Sequence, residues 1–384
     1  MSRETSTCNP GTRLNRYGTP TMTDPAFVKE PPNAAPQPAA RSRRAIALWL
    51  LLCCAMIFAM VVVGGITRLT HSGLSIVQWD PIVGAVPPLN TAQWNTAFHL
   101  YQKTPEFRDV NSDMDLAQFK SIFWMEYAHR LLGRGIGVVF LLPFLYFLAR
   151  GRIEKRLIPK LVTMFILGGL QGALGWYMVA SGLIHNPHVS QYRLTAHLSL
   201  AFLIYAFILW VALDLIGPTS EVPAQEFNGL RRFSYGVTAL IFLMVIAGGF
   251  VAGLRAGFIY NTFPLMNGRW LPLGMFALHP LWRNFFANMG TVQFDHRMIA
   301  YLLIIVVTSF WFMARRLPLP RRPRIAIHLL LAMLAVQVTL GISTLLLVVP
   351  TPLASAHQAG ALTLFTIAVF VSHSVRNARP LPAA

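Results

Sequence analysis

"AIALWLLLCCAMIFAMVVVGGI", residues 45–66, runs for twenty-two positions without a charge. At 1.5 Å of rise per residue, such a run makes a helix about 33 Å long, enough to cross the hydrocarbon core of a bilayer. Similar runs follow near 123–149, 159–181, 194–215, 233–254, 292–314, 325–349 and 353–374. In lipid, backbone groups must be satisfied within the protein, so repeated long apolar runs read as spanning helices, and interior Pro and Gly are tolerated in them. The expectation is an all-α integral membrane protein with eight transmembrane helices.

Composition agrees. The 384 residues are 55% hydrophobic and 12% charged, against about 25% charged in soluble domains. A net charge of +18 could suggest nucleic acid, but the basic residues fall in short clusters between apolar runs, which fits cytoplasmic anchors better than a binding stripe. Arg41, Arg43 and Arg44 precede the first span. Arg150, Arg152, Lys155, Arg156 and Lys160 separate the second from the third. Arg231 and Arg232 precede the fifth, and Arg315, Arg316, Arg321, Arg322 and Arg324 separate the sixth from the seventh. All these segments share one side, so both termini are expected in the cytoplasm of a bacterial inner (plasma) membrane protein. Loops 67–122, 255–291, 182–193 and 350–353 then face the periplasm.

Residues 1–44, which end in "EPPNAAPQPAARSRR", read as a disordered cytoplasmic tail without the pattern of a signal peptide. Of three cysteines, Cys8 lies in this tail, and Cys53 and Cys54 are helix neighbours that point apart, so no disulfide or metal spacing is expected.

The halves repeat. "GGITRLTHSGLSIVQWDPIVG" at 64–84 aligns with "GGFVAGLRAGFIYNTFPLMNG" at 248–268 through four glycine pairs: Gly64/Gly248, Gly65/Gly249, Gly73/Gly257 and Gly84/Gly268. This suggests two pseudo-symmetric four-helix bundles, 45–215 and 233–376, joined by a cytoplasmic linker at 216–232. The histidines follow the repeat. His129, His197, His296 and His357 lie near the outward ends of the even-numbered spans, 68 residues apart in the first half and 61 in the second. Even-numbered spans run in one direction, so His129 can face His197, and His296 can face His357. Two facing imidazoles suit six-coordinate haem iron, whose porphyrin supplies the other four ligands. Zinc would want three or four ligands at closer spacing. Nearby glycines in "GRGIG" and "QAGA" would let a flat macrocycle approach the backbone. Any one of these histidines could instead be an interhelical hydrogen-bond residue. That plain reading is given to His71, His99, His185, His188 and His279 in outward loops and to His328 and His373 near the cytoplasm.

Glu126 stands three residues before His129, where the second half has Gln293 before His296. An ionisable group beside one site and a neutral amide beside the other suggests a reactive first half and an electron-holding second half. The competing reading is an interfacial carboxylate paired with Arg130 or Arg134. Arg130, Arg134, Arg193 and Arg297 could pair with haem propionates or extend to lipid headgroups.

The stretches "GGITRLTHSGLSIVQWDPIVGAVPP", "EYAHRLLGR", "RLTAHLSLAF", "AGGFVAGLRAGFIYNTFPLMNGRWLP", "FDHRMIAYL" and "SAHQAGALTLF" together resemble the haem A synthase family, the CtaA/Cox15 proteins, over about residues 60–370. The resemblance implies oxidation of the C8 methyl of haem O to a formyl group through a hydroxymethyl stage, for the cofactor of cytochrome c oxidase. It further implies that His129 and His197 flank the substrate haem, that His296 and His357 ligate haem B, and that Glu126 takes part in catalysis. The loop 67–122 lacks the cysteine pair of some bacterial members, which places the chain with the proteobacterial and mitochondrial branch. Partners implied besides the bilayer are a haem O synthase, an electron donor and a second copy of the chain; nucleic acid is not among them. A di-haem cytochrome b that only carries electrons explains the histidines equally well but not Glu126 against Gln293. A transporter built from repeats is a third reading.

Overall fold

The computed structural model describes residues 38–78, 83–182, 189–217 and 225–378. Most of the expected tail, together with His185 and His188, lies outside these residues. In chain order the helices are α1 (Pro38–Leu69), α2 (Thr91–Gln102), α3 (Pro105–Val110), α4 (Leu116–Ala149), α5 (Ile158–Gly182), α6 (Gln191–Ile216), α7 (Asn228–Gly253), α8 (Asn284–Ala287), α9 (Met289–Arg315), α10 (Arg321–Leu346) and α11 (Thr351–Arg376). Eight of them, all except α2, α3 and α8, are long and apolar enough to cross a membrane. The chain is an all-α, multi-pass membrane protein.

The helices overrun the apolar runs. α1 starts at Pro38 rather than 45, and α7 at Asn228 rather than 233. α4 starts at Leu116 because Asp115 and Gln118 form a reciprocal cap. Asp115 accepts from the Gln118 backbone N–H at 2.8 Å, and Gln118 Oε1 accepts from the Asp115 N–H at 3.0 Å. Such a box satisfies two donors that the first turn leaves unpaired.

The segment 67–122 is not a plain loop. Asn90 caps α2, and Thr104 with Pro105 starts α3, each a standard helix start. Trp94 and Tyr101 of α2 pack with Phe119 and Phe123 of α4 into a small aromatic core apart from the main one. Buried rings of this size supply most of the apolar area in such a cluster.

α6, α7 and α11 form the centre. Tyr205 and Thr366 share a hydrogen bond at 2.9 Å between α6 and α11, and Thr238 and Ser372 share one at 2.9 Å between α7 and α11. α5 is peripheral: 6% of its apolar window is buried, against 39% for α6. At the end carrying the basic clusters, His373 bonds Asp214 at 3.0 Å and Arg43 pairs with Glu154 at 2.9 Å. His328 accepts from the Trp311 indole at 2.8 Å. Both histidines therefore have the plain structural roles expected of them.

Candidate functional site

Each of the four repeat histidines rests on a glycine of the membrane helix before it. A Cβ placed on Gly64 of α1 would lie 2.8 Å from His129 Cε1, and one on Gly175 of α5 would lie 3.0 Å from His197 Cε1. The corresponding distances are 3.4 Å from Gly248 of α7 to His296 Cε1 and 2.9 Å from Gly341 of α10 to His357 Cε1. At Gly64, Gly175 and Gly341 a side chain would crowd the ring, whereas Gly248 leaves nearly ordinary contact distance. The glycines flanking the histidines in sequence have other neighbours. Gly133 meets Met60, Gly137 faces open space, and Gly360 meets Gln337.

His129 and His197 bear on each other electrostatically, and so do His296 and His357. In all four rings Nδ1 is buried without a partner, while the residue as a whole is half-buried. Among the described residues, no group of three or more His, Cys, Asp or Glu could hold a bare metal ion. Paired imidazoles on glycine seats instead fit a metal whose remaining ligands come from a flat macrocycle.

Two glutamines belong to the site that the sequence reading does not include. Gln171 Nε2 donates to the His197 carbonyl at 3.0 Å, and Gln337 Nε2 to the His357 carbonyl at 2.9 Å. Each precedes its seat glycine by four residues, in "QGALG" at 171–175 and "QVTLG" at 337–341. That spacing puts amide and glycine on one helix face. The recurrence of Gln-x-x-x-Gly in both halves is the available signal.

Glu126 is 2% exposed and fully bonded. Its Oε2 accepts from the Ser75 N–H at 2.7 Å, the Ser75 hydroxyl at 2.7 Å and the Ile76 N–H at 2.9 Å. Its Oε1 accepts from Arg130 at 2.6 and 3.0 Å, and Arg130 also donates to the Ile76 carbonyl at 2.9 Å. The pair clasps the segment that follows α1. In the second half, Gln293 donates to the Ala256 carbonyl at 2.8 Å and Arg297 to the Tyr260 carbonyl at 2.9 Å, clasping the segment after α7. The two halves thus carry one clasp, charged in the first and neutral plus arginine in the second. The pairing with Arg130, the competing reading of the sequence, is the arrangement found.

Behind Glu126 lies Glu106 of α3, 5% exposed, with Oε2 buried and unpartnered. Burial foremost, then the neighbouring Glu126 charge, pushes its pKa up to about 8, while Arg255 works the other way. Arg255 also meets His71 Nδ1 at 3.1 Å.

Fold and site together define a multi-pass membrane protein with four histidines, each seated on a glycine, and an ion-paired clasp one turn before the first of them. The chain belongs to the COX15-CtaA family of cytochrome oxidase assembly proteins, which matches residues 47–369. It is 59% identical over 336 residues to a heme A synthase of Nitrosospira multiformis, covering 87% of this chain and 94% of that protein. It is 54% identical over 342 residues to a heme A synthase of Nitrosomonas eutropha, covering 88% and 96%. Heme A synthase COX15 of Homo sapiens is 44% identical over 347 residues, covering 88% and 85%.

Proposed function

We infer that this chain is a haem A synthase, an oxidoreductase that takes the C8 methyl of haem O through hydroxymethyl to formyl. The observation that carries the reading is the doubled histidine-on-glycine pair with an ionic clasp in one half only, in a chain whose relatives bear that name over nearly their whole length. The electron-carrier alternative has no support among those relatives. The histidine pairs and their glycine seats fit haem.

His129 and His197 would hold the substrate haem, and His296 and His357 a haem B that passes electrons. Bound iron porphyrin supplies the one-electron chemistry, which no side chain here can provide. The residues position and insulate. The glycine seats hold the rings, and the glutamine bonds anchor the backbone of His197 in α6 and of His357 in α11. Glu126 lies one turn from His129, and five donors saturate its carboxylate. That arrangement favours holding fixed negative charge beside a carbon that becomes electron-poor over accepting a proton. The first half, 45–215, is then the substrate half and the second, 233–376, the electron half, as pseudo-symmetric four-helix bundles. The basic clusters support termini in the cytoplasm and histidines toward the periplasmic side of the inner membrane. A haem O synthase, an electron donor and a second copy are the partners this chemistry invites.

The test is co-expression with a haem O synthase in a bacterial host lacking haem A, followed by chromatography and mass detection of extracted haems. A formyl haem is expected, and it should be lost in His129→Ala. Only haem B and haem O from haem-loaded protein supplied with reductant partners would reject the reading in favour of an electron carrier.

A further inference from the structure

Most of the arginines that could face haem propionates are already engaged. Arg130 and Arg297 serve the clasps, and Arg193 stacks over Tyr177 at 4.5 Å from the ring centre and donates to its hydroxyl at 3.3 Å. Arg68 differs. It stands in the last turn of α1, four residues after Gly64, so it shares a helix face with the seat of His129, one turn nearer the end of α1. It is half-buried, and among the described residues no hydrogen bond or ion pair reaches its guanidinium.

The charge that does bear on it is another cation, Arg255, contributed by the segment after α7. Arg255 favours the Glu106 charge, but no carboxylate bonds Arg68. Glu126 is bound by Arg130 and Ser75, and Glu106 makes no bond to either arginine. A cation near a helix C-terminus is favoured by the helix dipole, but an exposed one serves that purpose as well. The dipole leaves unexplained both the burial of Arg68 and the second arginine beside it. A half-buried guanidinium without a partner, acted on by a second cation at the surface, forms an arrangement that an anion relieves. The equivalent of Arg68 in the second half, four residues after Gly248, is Ala252, so the feature belongs to the first site alone.

We propose that Arg68, supported by Arg255, is a carboxylate-binding site of the first histidine pair and takes a propionate of the haem held between His129 and His197. The proposal rests on the haem reading above and adds which cation orients the substrate and by which group. A fixed propionate decides which edge of the ring meets the site, so Arg68 determines orientation.

The experiment titrates haem-depleted, purified protein with haem B and separately with its dimethyl ester, following the Soret band. The uptake missing in His129→Ala identifies the first site, and uptake at the second site reports that each variant is folded. Wild type is expected to prefer the free acid over the ester at the first site by about tenfold. Arg68→Gln should bring that ratio close to one, Arg68→Lys should keep part of it, and the second site should be unchanged. Equal weakening of acid and ester in Arg68→Gln would make Arg68 a packing or lipid-anchoring residue and overturn the proposal. An unchanged ratio would overturn it as well. If wild type shows no uptake that His129→Ala removes, the haem reading itself fails, and the two failures are distinct.

Discussion

His71 and Arg255 occupy equivalent places, each seven residues after the first glycine of its half's Gly-Gly pair, and they contact each other directly at 3.1 Å. Both adopt left-handed backbone, at φ 53° and 55°, a conformation uncommon for residues with a side chain. The contact joins the segment after α1 to the segment after α7. A double-mutant cycle tests the link. His71→Ala and Arg255→Ala should each cost about 1 kcal/mol, and the double variant little more than either, when thermal unfolding is followed in detergent. Additive losses would show that the contact contributes nothing.

The glycine seats predict a graded series. A methyl at Gly64 or Gly341 would come within 2.8–2.9 Å of a histidine ring, whereas at Gly248 it would come to 3.4 Å, close to ordinary contact. Overpacking of this kind costs typically about 1–3 kcal/mol. Gly64→Ala and Gly341→Ala should therefore lose their site's haem and shift the Soret band, Gly175→Ala should be intermediate, and Gly248→Ala should be near wild type. Haem content per chain in the four variants checks the order.

Much of this arrangement is legible in the sequence, for identifiable reasons. Charge-free runs announce spans because ionised groups are costly in hydrocarbon, and all eight appear where expected. Their ends are less visible, since the Asp115–Gln118 cap carries α4 beyond its apolar run. α2 and α3 escape notice because short helices over a small aromatic core leave no long period to read. The histidines stand out by recurring. The glycines beneath them do not, because contact between helices is not sequence adjacency. Arg68 gives no signal either, since a lone arginine at a helix end reads as a residue extended to the headgroups.

Glu126→Gln and Glu126→Ala should separate charge from clasp. The amide variant, facing Arg130, would reproduce the Gln293–Arg297 arrangement of the second half, so the fold and haem loading should persist. Conversion of haem O should nevertheless fall by about 100-fold, the scale of losing one electrostatic stabiliser. Alanine would take the carboxylate away from Arg130, whose side chain is 12% exposed, and should also lower stability by about 3 kcal/mol. Full turnover in Glu126→Gln would show that the carboxylate serves only as the clasp.

Glu106 sets a pH dependence outside the spans. Its folded pKa, pushed up to about 8 from 4.5 mainly by burial, lies above its unfolded value, so the native state holds a proton that the unfolded chain releases earlier. Its contribution is fully present below about pH 4.5, declines from there, and is lost as pH rises through about 8. Each tenfold change in acidity corresponds to about 1.4 kcal/mol, so the total is a few kcal/mol. Melting of the segment around Trp94, followed by tryptophan fluorescence, should therefore weaken between about pH 5 and pH 9 in wild type. Glu106→Gln, which stays neutral at every pH, should flatten that slope and be the more stable form at the alkaline end. An equal slope in both proteins would mean that the carboxyl reaches water and titrates near its ordinary value.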